Sequence, residues 1–233
     1  MEVKKVEIER GWGWIQDGWK MFMKNPRVWV LVTLIGVLLL FLLYFVPILG
    51  PLADGLLGTL LGGGIIYGAF KLDQGGALEI AQLFQVFRDP AKTGPMLILG
   101  CVSAVGNLLM AVLSKGLIAT PFTGAGMMGQ GYVVQFGATV LLGLLLVLLV
   151  AALLAVVLCY AIPLVMLDDM EPFEAMKESA IGCLRNWQPW LLFGLTVAIL
   201  SVLTVFTLGL GFLILGPVMV GAWYQSYKDI YGG

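Results

Sequence analysis

Residues 132–167 read YVVQFGATVLLGLLLVLLVAALLAVVLCYAIPLVML, thirty-six consecutive positions without a charge. How often this run crosses a membrane decides the topology of the whole chain. As a helix rising 1.5 Å per residue it is about 54 Å long, against roughly 30 Å of bilayer hydrocarbon. That is long for one crossing and short for two. The basic residues decide between them. With one crossing there are six spans, and Lys4, Lys5, Arg10, Lys20, Lys24, Arg27, Lys71, Arg88, Lys92, Lys177, Arg185 and Lys228 all fall on one side, with Lys115 alone on the other. With two crossings the division drops to nine against four. Lysine and arginine concentrate on the cytoplasmic side of membrane proteins. The sequence therefore predicts one crossing at 132–167 and both termini in the cytoplasm.

The composition agrees with a membrane bundle. The chain has 233 residues, 60% of them hydrophobic and 12% charged, with a mean hydropathy of +0.99. Soluble domains are about 45–50% apolar and about 25% charged, so there is too little polar surface here to coat a globule. The absence of histidine excludes His-ligated metals, Ser-His-Asp triads and imidazole acid–base chemistry. Three scattered cysteines, Cys101, Cys159 and Cys183, exclude a disulfide scaffold and a four-cysteine zinc site. No cofactor is expected. A net charge of −1 gives no reason to expect a nucleic-acid partner. The N-terminus alternates acidic and basic residues from Glu2 to Arg10 and lacks the short apolar run and cleavage site of a signal peptide.

The expected fold class is all-α: a polytopic membrane helix bundle forming a single integral membrane domain, 1–233. Six transmembrane helices are joined by three cytoplasmic interfacial amphipathic helices. The plan is an interfacial helix at 7–27, spans one and two within 28–70, an interfacial helix at 78–90, and span three at 95–113. An outer loop at 114–131, span four at 132–167, an interfacial helix at 171–187 and spans five and six within 190–227 complete it. The interfacial helices are read from apolar residues at steps of three and four: Ile8, Trp12, Ile15, Trp19 and Phe22; then Ile80, Leu83, Phe84 and Phe87; then Phe173, Met176, Ala180, Leu184 and Trp187. Each stripe ends in a similar break, Lys24-Asn25-Pro26, Arg88-Asp89-Pro90 and Arg185-Asn186-Trp187. There Asn25, Asp89 and Asn186 are expected to cap the following helix and Pro26 to fit its first turn. The result is a weak threefold repeat of helix, span, span, reinforced by Trp29 and Trp190 after the first and third breaks. All seven tryptophans, Trp12, Trp14, Trp19, Trp29, Trp187, Trp190 and Trp223, fall near the predicted cytoplasmic interface, where indole is at home. Tyr44 and Tyr132 are left to mark the outer edge.

Several of these stretches resemble a known family. They are 11–26 (GWGWIQDGWKMFMKNP), Pro47-Ile-Leu-Gly-Pro51, Leu78-Glu-Ile-Ala-Gln-Leu-Phe84, Cys183-Leu-Arg-Asn-Trp187 and Tyr224-Gln-Ser-Tyr-Lys-Asp-Ile230. They are similar to uncharacterised bacterial six-span inner-membrane proteins, remotely related to the membrane domain attached to some glycerophosphodiester phosphodiesterases. The resemblance implies a six-span fold and a bacterial inner-membrane location. It supplies no catalytic residues, because the hydrolase domain has no counterpart here.

The candidate polar sites are few. Asp54 is the one carboxylate inside a predicted span, and an ionisable residue within a membrane is a functional hypothesis by default. It lies only three residues after Pro51, about 4.5 Å along the helix, where a charge costs less, so a structural or capping role is favoured over a solute or proton role. Lys115, the only basic residue on the same side, is its expected partner. Asn107, with Ser103, could bond between helices or line a pore. Gly55, Gly58 and Gly62 share one face of span two, and Gly64 and Gly68 another; small residues there allow close helix packing or a water-lined gap. Gly124-Ala-Gly126-Met-Met-Gly129 matches G-x-G-x-x-G, but without a preceding strand the motif lacks its nucleotide-binding context. Met127 and Met128 alone make a poor soft-metal site. Asp168, Asp169 and Glu171 form the one carboxylate cluster, read as an acidic helix start rather than a catalytic centre.

These features predict a membrane protein that is not an enzyme. Its interfacial residues (Trp12, Trp19, Asn25, Pro26, Trp29, Arg88, Asp89, Arg185, Asn186, Trp187 and Trp190) would organise or sense the cytoplasmic leaflet, or dock a partner. Membrane lipids are the expected partners, with a protein or a second copy of the chain as further candidates. The alternative is a transporter or channel for a small or lipid-like solute, built on Asp54, Asn107 and Lys115.

Overall fold

A computed structural model describes the backbone of residues 3–45, 49–123 and 130–232, and their side chains apart from 44, 49 and 116–139. Every regular element among them is helical. In chain order these are α1 (Arg10–Lys24), α2 (Pro26–Tyr44) and α3 (Leu49–Asp73), then a 3-10 segment (Ile80–Phe84) running into the single turn α4 (Gln85–Arg88). There follow α5 (Pro90–Thr123), α6 (Gln130–Leu158), α7 (Ala161–Asp168), α8 (Pro172–Arg185), α9 (Trp187–Val205) and α10 (Phe212–Tyr231). Five stretches are long and apolar enough to cross a membrane: Pro26–Leu43, Gly50–Asp73, Pro90–Lys115, Val140–Asp168 and Trp187–Val205. The class is thus a multi-pass helical membrane protein. Of the five, Gly50–Asp73 is the most enclosed, with 56% of its most apolar window buried, whereas none of that in Val140–Asp168 is. The helix α3 is the hub, packed by α2, α5, α7, α10 and the 3-10 segment.

The long apolar run is one candidate span with a break near its end. Helix α6 stops at Leu158 and α7 starts at Ala161. Pro163 explains the break, since it has no N–H to give the carbonyl of Cys159 four residues back. That carbonyl instead accepts the indole N–H of Trp223 at 2.7 Å. One residue on, the hydroxyl of Ser179 in α8 sits between two would-be helical partners, accepting from the Tyr160 N–H at 2.9 Å and donating to the Val156 carbonyl at 2.8 Å. Neighbouring elements thus satisfy the backbone groups that the proline frees. The surplus length of the run becomes α7, where Ala161 to Met166 are all buried.

Both termini lie at one end of the bundle, called here the terminal end. The segment before α1 runs along the C-terminal turn of α10 and the start of α9. The Lys4 N–H donates to the Ile230 carbonyl at 2.9 Å, and Val3 is buried. Helix α1 then packs closely on α9 and α10. Two glycines make this possible. A Cβ on Gly11 would strike the Pro189 carbonyl, and one on Gly18 the Val218 carbonyl. With the backbones that close, Trp14, Met21 and Phe22 sink into the core.

Three expectations need correction. Helix continues through 114–123 and resumes at Gln130, so the expected outer loop at 114–131 is mostly the extension of α5. The element at 78–90 is a 3-10 segment plus one α turn, held by a Glu79 N–H bond to the Gln82 side chain at 3.1 Å, and not a regular helix. Of the three expected caps only Asp89 acts as one, accepting from the Ala91 N–H at 3.1 Å. Asn25 and Asn186 make no side-chain cap bond to the helices they precede. Asn186 is drawn off by stronger demand, because it clamps the N-terminal segment through the Val6 N–H at 2.8 Å and the Lys4 carbonyl at 3.0 Å.

Candidate functional site

The site begins with a glycine. Gly55, in the second turn of α3, has α5 so close that a Cβ there would overlap the backbone of Ala104. Pro51 sits in the first turn of α3, where its missing N–H has no helical partner to lose. The helices run in opposite directions, so the residue before Gly55 lies opposite the one a turn beyond Ala104. These are Asp54 and Asn107. The amide Nδ2 of Asn107 donates to Oδ2 of Asp54 at 3.2 Å. Lys115, the expected partner, lies eight residues beyond Asn107. Among the described residues no basic side chain comes within 4 Å of the Asp54 carboxylate.

The Asp54–Asn107 pair stands where two cavities, both open at the protein surface, meet. The smaller, about 250 Å³, lies against Gly50, Pro51 and Ala111 towards the far end of the bundle. The larger, about 520 Å³, passes Gly58, Thr59 and Ser103 and reaches Ile162 and Trp223. Both share Leu40, Asp54, Asn107 and Met110. Gly58 helps keep the larger cavity open, since nothing lies within 4 Å of where its Cβ would be. The glycine face of α3 therefore serves both anticipated uses: Gly55 gives close packing and Gly58 gives space. Gly64 and Gly68 pack on the 3-10 segment and the residues before it. The Thr59 hydroxyl is committed to the Gly55 carbonyl at 2.8 Å. This leaves Asp54, Asn107 and Ser103 as the groups that could meet a solute.

The interfacial signature divides. Trp12, Trp19 and Trp187 are exposed, whereas Trp29 is fully buried, a core residue and not a membrane anchor. Trp190 stacks edge-on to Phe193 at 5.2 Å and donates its N–H to the Tyr160 hydroxyl at 2.8 Å. Arg185 donates to the Val3 carbonyl at 2.9 Å. Asn25 and Pro26 form the bend between α1 and α2, and Arg88 and Asp89 the bend before α5. Trp29, Arg185, Asn186 and Trp190 thus make internal contacts, while Trp12, Trp19, Arg88 and Trp187 stay exposed. A further clamp at the terminal end, Asp229, was not anticipated: its Oδ2 accepts from Arg10 Nε at 2.7 Å and Trp14 Nε1 at 2.8 Å. Burial acts to lower the Arg10 pKa, but the Asp229 and Asp17 carboxylates outweigh it and hold it above its ordinary value. The spacing of Gly11, Trp14, Gly18 and Met21 in the sequence carries the signal of this second packed face.

The carboxylate cluster disperses in the same way. Asp168 accepts from the Tyr227 hydroxyl, Asp169 pairs with the nearly buried Lys92 at 2.6 Å, and Glu171 makes no side-chain bond to α8. No group of three or more metal-ligating side chains occurs among the described residues. The G-x-G-x-x-G stretch at 124–129, with Met127 and Met128, lies outside the described residues, as do the side chains of Tyr44 and Tyr132. No family model, curated protein or solved structure matches the chain.

Proposed function

We propose that the chain is a non-enzymatic membrane protein that takes a small or lipid-like solute into the cavity between α2, α3, α5 and α6, past Asp54 and Asn107. The observation that carries this reading is the position of the one carboxylate among the far-end helices at the junction of two cavities. A structural carboxylate would be expected to be enclosed by donors, as Asp229 is. The topology that goes with it has six spans, with α10 the sixth beside α2. Both termini are cytoplasmic, in keeping with twelve basic residues at one end against Lys115 at the other. The three-part plan becomes α1–α2–α3, then the 3-10 segment with α4, α5 and α6–α7, then α8–α9–α10. A bacterial inner-membrane location follows from the sequence resemblance.

The test is accessibility. In a variant lacking the three native cysteines, Ala151→Cys should react with a small membrane-impermeant thiol reagent, because Ala151 lines the larger cavity. Leu145→Cys on the same helix, whose side chain faces outward, should not react. Equal inertness at both positions would remove the water-accessible cavity and the proposal with it.

A second reading, organisation of the cytoplasmic leaflet, is favoured by a groove of about 800 Å³ between α1, α9 and α10. Its walls include Leu203, Ile214 and Val218, with Trp12 and Trp19 above them and Gln16 and Lys20 at its rim. A groove with apolar walls and a polar rim suits an acyl chain and its headgroup. On this reading deletion of residues 2–19 would abolish function while leaving membrane insertion intact.

A further inference from the structure

We infer that the solute held at Asp54 is an organic cation, one positive charge carried on an apolar body; this rests on the cavity reading above and narrows it to a substrate class. The argument starts from charge. A carboxylate inside a membrane bundle is costly unless something positive or hydrogen-bonding meets it. Asp54 has one N–H, from Asn107, on Oδ2, and among the described residues no donor is found for Oδ1. The segments outside the description, and the side chains at 44, 49 and 116–139, contain no lysine, arginine or histidine. The fold therefore brings no basic side chain within 4 Å of this carboxylate. At the other end of the bundle Asp17, Asp73, Asp169 and Asp229 each have a cation within 4 Å. Unlike those four, Asp54 has no cation within 4 Å among the described residues and is set among the far-end helices, where a countercharge can be supplied from outside the fold.

The walls decide what kind of cation. A bound Ca²⁺ takes six to eight oxygen ligands, and Mg²⁺ needs a near-octahedral set. Here one carboxylate, one amide and the Ser103 hydroxyl are on offer, while Leu40, Met110, Leu154, Leu158, Ile162 and Trp223 make up much of the wall. Such a lining repels a hydrated metal ion and welcomes hydrocarbon. The dimensions agree. The Trp223 ring lies 3.9 Å from where a Cβ on Gly62 would be, eight residues from Asp54, which is about 12 Å along a helix. A volume of about 520 Å³ over that length suits a compact body with its charge at one end.

Trp223 also serves as the reporter. The full chain in nanodiscs would be titrated with tetraphenylphosphonium, with the neutral triphenylphosphine oxide and with the anion tetraphenylborate. Quenching would be read as the difference from Trp223→Phe. The expected result is saturable binding of the phosphonium, weakened about tenfold or more by Asp54→Asn, the loss of one charge–charge attraction in a partly apolar site. Asp54→Glu should retain it, which shows that the site and not the fold was altered. The neutral compound should bind the unaltered chain and Asp54→Asn alike, and the borate neither. If phosphonium and phosphine oxide bind equally well with or without the Asp54 charge, the cation inference falls while the cavity reading stands. If no probe binds, or if filling the cavity with Leu154→Trp changes nothing, the cavity reading falls and takes the inference with it.

Discussion

The two ends of this bundle are built on opposite principles. At the terminal end several carboxylates are ion-paired and Trp14, Trp29 and Trp190 are packed inside: Arg10 pairs with Asp229, Lys228 with Asp73 at 2.7 Å, Lys92 with Asp169 at 2.6 Å. An aromatic cluster of Trp14, Trp190, Phe193, Tyr160 and Tyr231 fills the space between helices, with ring centroids 5.2–6.3 Å apart. At the far end α3 and α5 still touch at Gly55 and Ala104, but cavities open beside that contact. The turn between α9 and α10 leaves Phe206 and Leu208 more than four-fifths exposed, and Asp54 meets one amide beside two cavities. A frame locked at one end can hold an opening at the other without collapsing. The terminal end is where the fold is decided, and the far end is where it is free to do something else.

The largest effect expected from this division comes from adding bulk to the terminal end. In Gly18→Val the new side chain would run into the Val218 carbonyl and the Ala222 backbone N, the latter 2.7 Å from its Cβ. Neither is the flexible tip of a side chain. Overpacking typically costs about 1–3 kcal/mol and occasionally more; against unyielding backbone the upper end is expected, enough to loosen α1 from α9 and α10. Thermal unfolding in detergent should show a sharp loss of stability or no monodisperse protein. If Gly18→Val melts like the unaltered chain, α1 is not part of the locked frame.

Next comes Asp229→Asn. The neutral amide keeps the shape but weakens the bonds to Arg10 and to the fully buried Trp14. Hydrogen bonds to charged groups contribute about 1.5–3 kcal/mol. With the Asp229 side chain 26% exposed, the lower end of that range is expected. A chemical-denaturation midpoint that does not move would mean that the aromatic packing, and not the carboxylate, holds α1.

How far the sequence foretold this contrast depends on which physical signal each end carries. The class of fold was legible, because apolar runs long enough to span are a collective property that no tertiary contact overrides. The division of the thirty-six-residue run was only half legible. Pro163 announces a break, but its repair by Ser179 and Trp223 comes from residues 16 and 60 positions away, and local pattern does not show such partners. The stripe of Ile8, Trp12, Ile15 and Trp19 was visible, yet α1 has a second face, Gly11, Trp14, Gly18 and Met21, which a scan for apolar periodicity underweights because glycine has no side chain to count. Asp54 stood out by being alone. Its partner did not, because charge alone points to Lys115, while the bond actually made depends on how closely Gly55 lets α5 approach.

At the far end the sign of a glycine substitution should reverse. Gly58→Ala adds a methyl to a point with nothing within 4 Å, in the interior of α3, where glycine is worse than alanine by roughly 0.5–1 kcal/mol. The protein should become slightly more stable, by up to that amount, even as the cavity narrows. Two glycines on neighbouring helices would then respond in opposite directions, one because its space is taken and the other because it is empty. A destabilised Gly58→Ala would mean that the cavity closes in the membrane.

The smallest expected effect is the most informative about purpose. Asp54→Asn replaces a charge with an amide of the same shape, leaving an oxygen in place to accept from Asn107. Substitutions away from buried networks shift stability by less than about 0.5 kcal/mol, and Asp54 is exposed to its cavities and engaged by that single bond. Its melting curve should overlay that of the unaltered chain, in contrast to Asp229→Asn. Side by side, the two measurements ask why each carboxylate is there. A charge whose removal loosens the protein belongs to the frame. A charge set among membrane helices, whose removal leaves the frame indifferent, is not kept for stability, and on the proposed reading its use lies in what it meets in the cavity.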